Sequence, residues 1–238
     1  MLPIARCVLL ARKARLVSVK RIVLLFSFAA AAVAAAKPHS IFFGHAMTVK
    51  WFTGEKEDQG RELKIRPLYV DSKLREFTMG EEHQVTDRLL VVRRAYRIND
   101  VLPEESGPPR WKWQRDGWLL IDKQSGHVSS LKLPEFDPFY SAASWYRDYV
   151  AYCGVSPDAE KLYAVVTQIG SKKPLVRREL GAAHAGAQPD SECPPPEWQR
   201  QPPRVTFHPQ GSTAVSFEVH GAVLEIAAPE ENPAEEEK

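Results

Sequence analysis

Of 238 residues, 44% are apolar, 10% aromatic and 26% charged. That mix excludes wholesale disorder, a collagen-like chain and a polytopic membrane protein. The formal charge of +2 hides an asymmetry: six of the 32 basic residues lie in the first 36 positions, which hold no acid. The rest carries 26 basic against 30 acidic residues, a net −4, the wrong sign for a nucleic-acid partner.

The chain opens on a basic stretch, residues 1–21, followed by the 12-residue apolar run Ile22–Val33 and the small residues Ala34-Ala35-Ala36. Basic, apolar and small segments in this order form the pattern of a signal peptide, with cleavage after Ala36. Twelve residues are too few to cross ~30 Å of hydrocarbon as a helix. The alternative is a retained anchor lengthened by Ala34–Ala36. No Cys follows the apolar run and no twin Arg precedes it, so general secretion is expected. The protein is then secreted or periplasmic, touching a membrane only through this segment before its removal.

Beyond it the periodicity is of β type. Ser40–Phe52, Leu63–Val70, Arg88–Ile98, Trp118–Asp122, His127–Leu133, Tyr149–Gly154, Lys161–Ile169, Pro174–Leu180, Arg204–His208, Ala214–Val219 and Ala222–Ala227 read as strands. Glycines in Asp116-Gly117, Ser125-Gly126, Gly170-Ser171, Gln210-Gly211 and His220-Gly221 mark hairpin turns. Pro138–Tyr146 is the one helical candidate, with Pro138 in its first turn. The organisation expected is a main β domain over 37–180, a Pro-rich linker over 181–204, a C-terminal hairpin unit over 205–228 packing on the main domain, and a disordered acidic tail over 229–238. The fold class is all-β: a small antiparallel sheet or sandwich, or an incomplete propeller, built from hairpins.

Two phrases 52 residues apart share one pattern. Val155-Ser156-Pro157-Asp158-Ala159 and Phe207-His208-Pro209-Gln210-Gly211 each end an apolar strand, turn through x-Pro-polar, and enter another apolar strand. Upstream, Asp122-Lys123-Gln124-Ser125-Gly126 joins two further strands. This set resembles the repeats of TolB-like β-propellers, in which an S-P-D-G turn joins the first two strands of a blade and a D-x-x-x-G turn the last two. Ser156-Pro157-Asp158 matches with Ala159 in place of Gly; His208-Pro209-Gln210-Gly211 keeps only Pro and Gly. The resemblance spans about 117–227 in two or three units, fewer than the four or more blades of a closed propeller. It implies hairpins and no particular activity.

Motifs for chemistry are scarce. No G-x-S-x-G, phosphate-binding loop or His/Cys spacing for a metal is present, so neither cofactor nor metal is expected. Glu135 and Asp137 lie two apart in one loop and set no fixed separation for glycoside hydrolysis. Cys153, in an apolar strand, and Cys193, in the linker, allow one disulfide in an oxidising compartment. The other reading buries Cys153 and leaves Cys193 in solvent.

The densest feature is aromatic. Seven rings fall between Phe136 and Tyr152, with Trp111, Trp113 and Trp118 just upstream. Trp111, Trp113, Trp118, Phe139, Tyr140, Trp145, Tyr146 and Arg147 form the candidate binding patch, a platform for a glycan or protein ligand. The competing reading is a β core of large rings with only its rim accessible. The function expected is an exported binding or structural module. Its alternative is an envelope-polymer hydrolase drawing carboxylates from separate loops.

Overall fold

Residues 38–52, 60–183 and 193–220, with the backbone of 223–226, are described by a computed structural model. The segment read as a signal and the acidic tail lie outside these residues. The described residues form fifteen strands and no helix, in three sheets. The all-β expectation holds.

The first sheet holds β1 (Ile41–Phe43), β2 (Met47–Phe52), β3 (Gly60–Val70), β4 (Lys73–Gln84), β5 (Leu89–Asn99), β6 (Trp111–Asp122) and β7 (His127–Leu131). Its backbone runs β1/β2–β3–β4–β5–β6 and curls until β6 meets β2 at a single parallel bridge, Trp51 to Trp113. Ser40–Phe52 is thus two strands. The break falls at Gly44, whose N–H donates to Pro67 O and where a Cβ would lie 2.6 Å from the Pro67 ring. Leu68, Leu90, Val92, Leu119 and Ile121 form one core cluster of this sheet, and Trp51, Leu63, Ile65 and Ala95 another.

Two expectations fail here. β4 is a full strand that the sequence reading passes over. Its residues Lys73, Arg75, Glu76, Glu81 and Glu82 mask any alternation, and its entry is the two-residue turn Asp71-Ser72, with φ of 50° and 63° and no glycine. Asp116-Gly117 is no hairpin. It lies inside β6 at a bulge opposite Arg93–Ala95, where Arg94 reaches Asp116 and Glu76.

The second sheet is the meander β8 (Ala143–Tyr146), β9 (Tyr149–Val155), β10 (Lys161–Gln168) and β11 (Val176–Ala182). The third is the meander β12 (Glu197–Arg200), β13 (Pro203–Phe207), β14 (Val215–His220) and β15 (Val223–Ile226). The linker expected over 181–204 therefore carries β12 and the start of β13. Prolines 195 and 196 end before β12, and Pro203 opens β13, so no interior ladder bond is lost. No helix forms over 138–146. The Asp137 carboxylate accepts from the N–H groups of Phe139 and Tyr140 to make a tight turn, and the chain then extends into β8.

The 52-residue repeat is visible in three dimensions. Ser156–Ala159 joins β9 to β10, and His208–Gly211 joins β13 to β14, the second and third strands of each meander rather than the first two. Both turns place their fourth residue in the left-handed region, Ala159 at φ 57° and Gly211 at φ 72°.

Alternation along β9 and β10 sets the layering. Ala151, Cys153, Val155, Leu162, Ala164 and Val166 face the third sheet and meet Val205, Phe207 and Phe217. Val150, Tyr152, Tyr163 and Val165 face the other way, onto Leu133, Phe136 and Trp145. β9 is therefore covered on both faces. Each fully buried Val, Leu or Phe side chain contributes roughly 1.5–3 kcal/mol. The opposite face of the third sheet is polar: Arg204 pairs with Glu218 at 2.7 Å, and Thr206 with Ser216 at 2.8 Å. The second and third sheets thus pack face to face, as the layers of a sandwich do.

Candidate functional site

The eight residues of the expected aromatic patch separate into several places. Trp111, 54% exposed, stands at the far end of β6 under the Arg97 guanidinium at 5.0 Å. Trp113 is half-buried edge-on to Phe77. Phe139 contacts Tyr140 at 4.8 Å and Trp51 at 5.9 Å, inside a core cluster. Trp118 and Trp145 meet edge-to-face at 5.0 Å, with His83 stacked on Trp145. Tyr146 stacks on Trp198 of β12 at 5.4 Å, and the Arg147 guanidinium lies 5.3 Å from the Tyr146 ring centre. No single flat platform results, and most rings serve as core. Arg147 and Asp148 do not alternate along a strand. They form the β8–β9 turn, with Arg147 at φ 55° and His83 Nε2 2.7 Å from its carbonyl.

Glu135 and Asp137 also diverge. Glu135 makes a forked pair with Arg177, which lies 3.9 Å over the Tyr163 ring, while Asp137 caps the turn that follows it. The Glu135 charge adds to burial, the larger cause, in pushing the Tyr152 phenol well above its ordinary range; its hydroxyl donates to Pro134 O at 2.6 Å.

Cys153 and Cys193 are bonded to one another, both fully buried. The bond brings residues 193–196 back over the second sheet, where the Ser144 hydroxyl donates to Pro196 O and Trp198 Nε1 to Ser144 O.

A cleft about 280 Å³ in volume opens between the first sheet, the start of the second and the segment leading into β12. Met79, Gly80 and Glu81 of β4, Arg93 of β5, Trp118 of β6, Ala142, Ala143 of β8 and Pro195 line it. Trp118 is 8% exposed and Arg93 9% exposed. The Arg93 guanidinium donates to Asp116 O and Pro138 O and lies over Phe136, so it is held in place. β4 bulges at this point: β5 pairs with Met79 and next with His83, leaving Gly80–Glu82 outside that ladder. Arg66 holds the bulge through Gly80 O and Glu82. Bulges of this kind turn side chains out of the sheet beside binding sites.

Of the expected patch only Trp118 lines the cleft. The other lining residues were missed because β4 and the Pro195 strap have no pattern of their own. One signal was available: Arg93 interrupts the apolar run Leu89–Val92, and a cation there is buried and partnered or it faces a cleft. The cleft presents a buried cation, a ring and a rim carboxylate, Glu81, around an apolar floor, a composition suited to holding a small group of a ligand. Among the described residues no group of three or more His, Cys, Asp or Glu side chains is arranged to hold a metal.

No family model matches the chain, and neither a curated protein nor a solved structure matches it.

Proposed function

We propose that the chain is an exported β-rich binding module whose ligand seats in the cleft between Trp118, Arg93, Glu81 and Pro195. The observation that carries this reading is the cleft itself: the first and second sheets and the segment leading into β12 line it, a bulge in β4 shapes it, and the Cys153–Cys193 bond fixes the segment that bears Pro195. A buried disulfide suits an oxidising compartment, which supports the export read from the first 36 residues. The two four-stranded meanders with matching turns support treating them as propeller-type blades of the TolB-like kind. Binding is favoured over hydrolysis because Glu81 is the only carboxylate among the cleft's lining residues, whereas glycoside hydrolysis uses two.

The ligand is a protein segment or a glycan that inserts one side chain or one sugar ring; the cleft is at the small end of ligand sites. Saturation-transfer NMR of the purified protein against a mixture of cell-wall muropeptides and a pool of tripeptides tests this. Transfer to one of the two pools is the expected result, and it should vanish in Glu81→Trp, which fills the mouth from an exposed position. Transfer to neither pool, or transfer of equal strength in the variant, would overturn the cleft as the site.

A further inference from the structure

The end of the second and third sheets that carries the β8–β9, β10–β11 and β12–β13 turns is a row of cations. β8 and β12 run alongside each other in the same direction: Ser144 bonds to Pro196, and Tyr146 stacks on Trp198. The β8–β9 turn and the β12–β13 turn therefore project from the same end, as does the β10–β11 turn two strands along. Arg147 stands at the first, Arg200 beside the second, and Lys172 and Lys173 at the third, all exposed. None forms an ion pair with a described carboxylate. Asp148, the one acid on these turns, is bonded to the Gln168 side chain at 2.6 Å.

We propose that this end binds a linear anionic glycan, a sugar chain bearing carboxylate or phosphate groups. Neighbouring strands are ~4.8 Å apart and stacked sheets ~10 Å. The Lys172-Lys173 pair thus stands two strands, about 10 Å, from Arg147, and Arg200 ends β12, the strand in direct contact with β8. The Tyr146–Trp198 stack bridges the two sheets beside Arg147. Cations alternating with aromatic edges suit a polymer whose rings are flat and apolar on one face and whose charges recur along its length. A membrane surface is disfavoured. The exposed large apolar side chains Phe42, Met47, Leu74, Ile98, Leu102 and Trp111 all lie in the first sheet or its loops, so this end has none to insert. A nucleic acid is disfavoured by the net −4 of the chain beyond residue 36. The site is separate from the cleft, and the purified protein reports on it whether or not the chain is exported.

Titration of the purified protein with fluorescent alginate oligomers, neutral dextran and an oligo-dT of matched charge decides the matter. Alginate is expected to bind and dextran not. Removing the exposed turn cations in Lys172→Ala/Lys173→Ala weakens alginate binding by roughly fivefold per charge. Lys64→Ala, an exposed cation on β3, leaves it unchanged. Trp198→Leu weakens alginate binding again. The proposal fails if alginate and dextran bind alike, if the double variant matches Lys64→Ala, or if oligo-dT binds as tightly as alginate, which would mark a general polyanion surface. None of these outcomes bears on the cleft, whose test uses other residues and other probes.

Discussion

Ala159 occupies a left-handed conformation at φ 57° in a turn whose counterpart uses Gly211. The left-handed region costs a non-glycine residue roughly 1–2 kcal/mol, and the greater freedom of glycine in the unfolded chain returns part of that. Ala159→Gly is therefore expected to stabilise the protein by about 0.5–1 kcal/mol, read as a rise in the urea midpoint. Trp145 is half-buried between Trp118 and His83, and its indole N–H is buried without a partner among the described residues. Trp145→Ala should cost about 3 kcal/mol, the low end for a large ring. Trp145→Phe should cost much less, since it also removes an unsatisfied donor; equal losses in the two variants would contradict this packing. Burial, and secondarily the charge of Glu135, raise the Tyr152 phenol. A raised phenol favours the folded state fully below the unfolded value near 10 and loses that advantage as pH climbs past it. Melts between pH 8 and 11 should show a midpoint falling above pH 10, with a shallower fall in Tyr152→Phe.

At the scale of elements, the Cys153–Cys193 bond ties β9 to the segment leading into β12 across a separation of 40 residues. In the chain-entropy account such a loop contributes roughly 3–4 kcal/mol. Both sulfurs should resist iodoacetamide in the native protein without reductant, and dithiothreitol should lower the unfolding free energy read from urea titration by that amount; two thiols alkylated in native, freshly purified protein would remove the bond. Strand positions were legible where a short apolar run is bounded by turn residues, as in β9, β10 and β13, because run length and turn chemistry are local properties. β4 was not legible. Its half-exposed, charge-rich sequence buries only Thr78 fully, and its place comes from pairing with β3 and β5. Asp116-Gly117 misled for the related reason that a bulge and a hairpin use the same residues. Pro138–Tyr146 misled because Asp137 closes a single turn with its carboxylate, and nothing downstream propagates a helix.

At the scale of the molecule, the third sheet presents Val205, Phe207 and Phe217 inward and Arg204, Thr206, Ser216 and Glu218 outward. The proposed export is tested at this scale as well. N-terminal sequencing of the exported protein should begin at Lys37, and a soluble product starting at Met1 would rule the signal out.

The all-β class, the two matched hairpins, the two-sided burial of β9 and the pairing partners open to Cys153 were determined by the sequence alone. They follow from alternation, turn residues and a count of two cysteines beyond the first 36 residues, which are local or arithmetical properties. Where each aromatic ring went was decided only by tertiary structure. Trp118 and Trp145 are 27 residues apart, Tyr146 and Trp198 are 52 apart, and the cleft joins Met79 to Pro195. Such neighbours depend on which sheet face meets which, and that is set by the curl of the first sheet, the bulges in β4 and β6 and the disulfide. The row of cations at the turn tips has the same origin. Arg147, Lys172 and Arg200 are unremarkable in the chain and become neighbours when two meanders stack with β8 beside β12.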